Sequence, residues 1–215
     1  MRDRLVSLLR QNGSPRTIDT SILKQVKTFF LDRVNSTLGS ARRHPLGFLV
    51  IAEKIDSSLT LRYHVWPPGW SVPSDQIGSE LHDHTYELNS LVIAGSIRQR
   101  TYRVTLDNSG NHNVFEVAYS DGSSTLVSTG QRARLETETD EVFVSGIAYR
   151  LLPGIPHYVE AIKRPCATIV LTVQSERPAA PTVFIPLDAS APGQFLRGLL
   201  NENEMEAVRT TLTQI

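Results

Sequence analysis

The spacing of apolar positions changes twice along the chain, near residue 47 and after Pro192. Before the first change, Leu5, Leu8 and Leu9 make a short stripe, and Ile18, Ile22, Val26, Phe29 and Phe30 recur at three- and four-residue steps, which places them on one face of a helix. Asn12-Gly13-Ser14-Pro15 separates the two as a breaker. Thr20 or Ser21 is the expected N-cap of the second helix, because a short side-chain oxygen there accepts an otherwise unpaired backbone N–H. From Gly47 onward the apolar runs are short and rich in β-branched residues: Phe48 to Ala52, Leu59 to Trp66, Leu81 to Leu106, Val114 to Tyr119, Thr125 to Ser128, Val142 to Tyr149 and Ala167 to Val173. Pro67-Pro68-Gly69, Asp107 to Gly110 and Asp121-Gly122 punctuate them, a pattern that predicts an antiparallel sandwich or barrel. Pro178, Pro181 and Pro186 suit a last crossing at a sheet edge, since proline cannot donate to a ladder. After Pro192, the spacing of Phe195, Leu196, Leu199, Leu200, Met205, Val208 and Leu212 predicts a helical appendage. The expected organisation is one all-β domain at residues 47–187, with helical segments at 1–46 and 188–215 packed on it.

Composition narrows the chemistry. Lys plus Arg and Asp plus Glu number 22 each, so no net field draws the chain to nucleic acid or to an anionic membrane. No apolar run approaches the ~20 residues of a membrane helix, and the charged first ten residues do not read as a signal peptide. A soluble, cytoplasmic protein is expected. The one cysteine, Cys166, excludes an internal disulfide and a cysteine-based zinc cage, so any metal must be held by His, Asp or Glu. Cys166 itself reads as a small core residue.

The segment Leu81 to Gly95 carries the chemistry. His82 and His84 stand two apart on a predicted strand, so both imidazoles leave one face and can converge on one ion. Tyr86 and Ser90 share their parity and are cavity candidates, and Glu87 has the opposite parity. A second segment, Gly146 to His157, supplies a third histidine behind Pro153-Gly154.

Together these segments resemble the two motifs of the cupin superfamily, G-x5-H-x-H-x3,4-E-x6-G and G-x5-P-x-G-x2-H-x3-N. His82, His84 and Gly95 match the first, and Gly146, Gly154 and His157 the second. Gln76 stands where the first motif opens with Gly, Leu152 where the second has Pro, and Ala161 where it ends in Asn. The resemblance implies a double-stranded β-helix, a jelly-roll barrel, over about residues 47 to 187. It also implies a mononuclear metal on His82, His84 and His157. Leu88 occupies the position of the usual metal-binding glutamate; Glu87, one residue early, can ligate only if a bulge turns it inward.

Three neutral histidines leave a divalent ion with its full charge and open positions, so an anionic substrate group and a diatomic gas can bind together. Within the superfamily this resembles the cysteine dioxygenase group, which implies Fe(II), or another divalent transition metal, together with O2 and a small thiol- or amino-acid-like substrate. That group's Ser-x-His-x-Tyr triad is missing: the matching stretch runs from Thr168 to Val173, and its cross-linking cysteine is replaced by Leu88. Arg62 is a candidate carboxylate clamp. Tyr63, Arg100 and Tyr102 are further substrate-binding candidates, with Arg98 on the face of Arg100; which strand face points inward is not readable from the pattern. Tyr86 and His64 are candidate catalytic groups, against the alternatives of a core tyrosine and a satisfied strand histidine. His112 reads as an exposed turn residue. Trp66 and Trp70 read either as a cover over the barrel mouth or as loop packing. Two other functions stay open: a metal-dependent lyase, isomerase or hydrolase without O2, and a non-catalytic small-molecule-binding barrel.

Overall fold

Alternation along one strand sets the plan of the molecule, in which a curled sheet has helices on its outer face and a polar cavity on its inner one. A computed structural model describes residues 1–11, 15–120, 122–175 and 180–215. Asn12, Gly13 and Ser14 of the predicted breaker, Asp121 and Pro178 lie outside the described residues. The elements are α1 (Arg2–Leu9), β1 (Arg16–Thr17), α2 (Thr20–Thr37), β2 (Arg42–Arg43), β3 (Leu49–Lys54), β4 (Leu59–Trp66), β5 (Glu87–Leu106), β6 (His112–Ser120), β7 (Ser123–Val144), β8 (Ile147–Leu151), β9 (His157–Val173), β10 (Thr182–Pro186), β11 (Phe195–Leu196) and α3 (Glu202–Leu212). On β4, Leu59, Leu61, Tyr63 and Val65 join the core beneath the helices, while Arg62, His64 and Trp66 face the cavity.

The helices are held by one apolar stripe each. Leu5 and Leu9 of α1 and Val26, Phe30 and Val34 of α2 are buried against Leu49, Ile51, Leu61, Tyr63, Leu91, Ile93, Ile169 and Leu171 of the sheet. Each fully buried side chain of this kind stabilises by about 1.5–3 kcal/mol, so Phe30 is the residue whose loss would most loosen α2. The N-cap is Asp19 rather than Thr20 or Ser21: its carboxylate accepts from the backbone N–H of Ser21 (2.8 Å) and Ile22 (3.3 Å). An aspartate caps as well as a hydroxyl, and it stands one residue earlier. In the tail only Glu202–Leu212 is helical, with an Asn201–Glu204 capping box. Phe195–Leu196 instead pairs as a short strand with Ser123 and Ser124 of β7.

The sheet runs β10-β6-β7-β5-β9-β4-β3-β2, all neighbours antiparallel, with β8 against β5 and β1. It closes through the segment that carries the histidines. His82 bridges both His157 at the start of β9 and Val183 of β10, with His157 N–H donating to His82 O (2.8 Å), Asp83 N–H to Thr182 O and Phe184 N–H to Leu81 O (both 2.9 Å). The ring β9-His82-β10-β6-β7-β5 is a closed jelly-roll barrel, the fold that the motifs imply. Closure removes the sheet edges at the level of the site and gives it a rigid wall.

Two strands differ from the pattern reading in a way that matters for the site. The regular strand begins at Glu87, not Leu81; residues 83–86 cross the barrel irregularly. Around Gly95, β5 shifts register against β9 three times between Val92 and Ile97. Gly95 takes φ +69°, and a Cβ there would lie 2.2 Å from Lys163 O, so only glycine fits where the chains approach this closely.

Candidate metal centre and its cavity

His82, His84 and His157 come together as the sequence predicts. Their ligand nitrogens lie within 4.8 Å of one another, and no other group of three or more His, Cys, Asp or Glu able to hold an ion occurs among the described residues. Backbone pairing sets the placement: His82 and His157 are cross-strand partners, and Gly154 of the second motif donates its N–H to His84 O (2.8 Å). Ring centroids are 4.5–5.1 Å apart.

The tautomers follow from the neighbours. His82 Nδ1 is 2.8 Å from Glu80 O and His157 Nδ1 is 3.1 Å from Ile155 O. A carbonyl only accepts, so both Nδ1 atoms carry hydrogen and both Nε2 lone pairs are free for an ion. His84 stacks on Tyr86, centroids 4.8 Å apart at 14°. Burial lowers the proton affinity of all three: His157 falls to about 3, by burial and then His82, and His84 lies well below its ordinary 6.5. Neutral imidazole is the form that binds a metal.

The donor set therefore fits a divalent transition metal. Nitrogens ~2.1 Å from one ion at tetrahedral or facial angles stand ~3.0–3.4 Å apart, so loading would draw the rings together by up to about 1.5 Å through side-chain rotation. Glu87 is not part of this group. Its carboxylate pairs with Arg150 and accepts from Asn89 Nδ2 (2.8 Å), and Leu88 lines the cavity in its place.

Two connected chambers meet at the histidines. The outer, about 480 Å³, is lined by His44, Arg62, His82, His84, Tyr86 and Arg197 among others. The inner, about 70 Å³, lies behind them and is lined by His64, Trp66, Ser90, Gln99, His157 and Thr168 among others. Arg62 lies over the Tyr86 ring, 5.2 Å from its centroid, and its Nε is buried without a hydrogen-bond partner. His64 sits deep, 4.8 Å from the Phe48 ring and 3.5 Å from Thr168 Oγ1, and burial followed by the Arg62 charge lowers it to about 3. The ring is therefore neutral near neutrality.

Tyr86 and Ser90 are cavity residues, as their parity predicts. Tyr63, Arg100 and Tyr102 are not. Tyr63 faces the helices, packs on Phe29 and Phe30 and donates to Glu53 Oε2 (3.0 Å). Arg100 pairs with Asp140 (3.3 Å) and Glu160 (3.9 Å) and lies over Tyr158, on the outside with Arg98. Tyr102 lines neither chamber. The register shifts around Gly95 explain this: before them Leu88 and Ser90 face inward, after them Gln99 does, so even-numbered residues change face. His112 opens β6 rather than a turn and lines neither chamber. Trp66 floors the inner chamber, while Trp70 packs beneath Arg43. Cys166 is fully buried, its thiol pushed up to about 12 by burial.

Two cavity residues escape the sequence reading. His44 accepts Leu46 N–H on Nδ1 (3.3 Å) and stacks on Phe48. Arg197 follows β11 and has a buried, unpartnered Nε. Gly193 and Gly198, flanking Phe195 to Arg197, are the signal against a helix there.

Fold and site together define a jelly-roll barrel with a three-histidine centre. No family profile and no curated protein matches the sequence. Among solved structures, the chain is similar to DMSP lyase DddQ of Ruegeria pomeroyi, with 12% identity and a TM-score of 0.41 over 81% of this chain and 73% of that one. It is also similar to a variant of Bacillus subtilis oxalate decarboxylase (14%, TM-score 0.38, 68% of this chain and 30% of that one). A third is Lactobacillus farciminis oxalate decarboxylase in its formate complex (13%, TM-score 0.38, 74% and 45%). This chain thus spans less than half the length of the two decarboxylases. Likeness this distant says nothing of metal or substrate, which have to be read from the residues.

Proposed function

We propose that the protein is a mononuclear non-haem iron oxygenase that uses O2 to oxidise a small carboxylate-bearing metabolite of the thiol or amino-acid type. The observation that carries this reading is the pairing of three neutral imidazoles, without a carboxylate, with an unpaired guanidinium in the same cavity. A ferrous ion on His82, His84 and His157 would supply the redox chemistry with O2.

The chain's own residues do the rest. Carbonyls of Glu80 and Ile155 hold two of the rings in the ligating tautomer. Arg62, which lines both chambers, is the cation we assign to the substrate carboxylate, and its contact with Tyr86 would fix the fork's orientation. The Tyr86 hydroxyl is the group placed to hold or deliver a proton beside His84. Phe48, Trp66, Val159 and Val170 keep bulk water from the inner chamber, and His64 serves as a neutral wall residue there.

The Tyr86–Arg62 pair also suits a lyase or isomerase, in which the ion is only a Lewis acid and the phenol moves the proton. Oxygen uptake separates the two. Anaerobic reconstitution with Fe(II), followed by an oxygen-electrode screen of thiol and amino carboxylic acids, is expected to give substrate-dependent O2 consumption. Turnover without O2, on retained zinc or nickel, would replace the oxygenase by the lyase reading.

A further inference from the structure

Among the described residues, three guanidinium Nε atoms are buried without a hydrogen-bond partner: those of Arg43, Arg62 and Arg197. Arg43 still pairs with Glu204 through Nη1 (2.7 Å). Arg62 and Arg197 have no ion-pair partner among the described residues, and both line the outer chamber. Both side chains are only partly buried, yet two positive charges facing one cavity repel each other and attract an anion. The arrangement makes sense when a ligand brings two negative groups.

We infer that Arg197 and His44 form a second anion subsite at the mouth of the cavity, so that the substrate is a small diacid, one acidic group against Arg62 and the other against Arg197. The inference rests on the carboxylate-binding site proposed above and adds its substrate class.

Arg197 is held for this role by its backbone. Its N–H donates to Gly122 O (2.7 Å) and its carbonyl accepts from Arg42 Nη1 (2.6 Å), so the strap around β11 is tied on both sides. The side chain lies over Tyr119, 5.5 Å from the ring centroid, and its one side-chain hydrogen bond among the described residues is a long 3.5 Å approach to Ser124 Oγ. His44 supplies a neutral donor: because its Nδ1 accepts Leu46 N–H, its hydrogen sits on Nε2, which has no protein partner. Among the described lining residues the one carboxylate is Asp83, which accepts Thr182 N–H on Oδ1 (2.7 Å). The C-terminal strap is thereby part of the binding site as well as of the packing.

The test uses full-length protein loaded with Zn(II), so that no oxygen chemistry intervenes, and calorimetric titration with butyrate, succinate and sulfopropionate. Wild type is expected to bind succinate about 10- to 100-fold more tightly than butyrate, the range of one charge-assisted contact. Arg197→Gln should abolish that preference and leave butyrate unchanged, and Arg197→Lys should keep part of it. Sulfopropionate binding as tightly as succinate would place a sulfonate at the outer subsite; binding like butyrate would assign that subsite to a carboxylate. The inference fails if wild type shows no preference for two acidic groups over one, if Arg197→Gln keeps it, or if that variant weakens both ligands equally. Should Arg197→Gln not fold, the wild-type preference and the Arg197→Lys arm decide. Diacid preference without O2 uptake in the reconstituted enzyme would sink the oxygenase and spare this subsite; O2 uptake with monoacids alone would do the reverse.

Discussion

The two walls of the cavity are built on opposite principles. On one, His82, His84 and His157 are neutral and backbone-paired, and His82 and His157 are fixed in tautomer by the carbonyls of Glu80 and Ile155. On the other, Arg62 and Arg197 are charged and unpaired, and come from segments far apart in the chain. The first wall is a ready donor set for one ion, whereas the second calls for an anionic ligand. Metal affinity and ligand affinity should therefore be separable by mutation, although His82, His84 and Arg62 line the same two chambers.

Removing a member of the neutral wall should have the largest effect. His157→Ala is expected to take metal content from about one ion per chain to near zero, since two imidazoles on a divalent ion bind far more weakly than three; metal analysis after dialysis reads it. Breaking the charged wall should act differently. Arg62→Met is predicted to leave metal content intact and to weaken carboxylate binding about 10- to 100-fold by calorimetry. Loss of metal in that variant would merge the two walls into one.

Acid should sharpen the contrast at smaller amplitude. Unfolded, each imidazole takes a proton near 6.5; folded, His64 and His157 stay neutral to about 3 because they are buried. Below pH 6.5 the unfolded chain binds more protons, so metal-free stability is full above that value and falls with pH down to about 3. The slope is about 1.4 kcal/mol per pH unit for each such group. Urea midpoints between pH 7 and 5 should show it, and a flat profile would contradict the buried, neutral description. The smallest effect is expected at Glu87→Gln: unchanged metal stoichiometry and less than about 1 kcal/mol of stability, since the Arg150 pair is partly exposed.

The two walls also differ in how far they could be read from the sequence. Histidines two apart, followed by a Gly-bounded third, carry their own spacing, and the alternating runs announce a barrel. The charged wall has no such spacing. β4 is covered on both faces, by helices outside and by the cavity inside, so alternation separates Arg62 from Tyr63 without saying which points inward. On β5 the inward parity of Ser90 does not survive the register shifts at Gly95, and that places Arg100 and Tyr102 outside. A single glycine does not reveal that the register slips at it. His44 lies in a connection and Arg197 beside a two-residue strand, where side-chain direction depends on contacts remote in sequence.

The central claim is that these three imidazoles, and no carboxylate, hold one divalent ion facing the guanidinium wall. Anomalous diffraction at the metal edge, from crystals reconstituted with Fe(II) under anaerobic conditions, tests it most directly. The expected map has one peak per chain, at about 2.1 Å from a nitrogen of each of His82, His84 and His157. A peak elsewhere, or Glu87 swung in from Arg150 to coordinate it, would contradict the account.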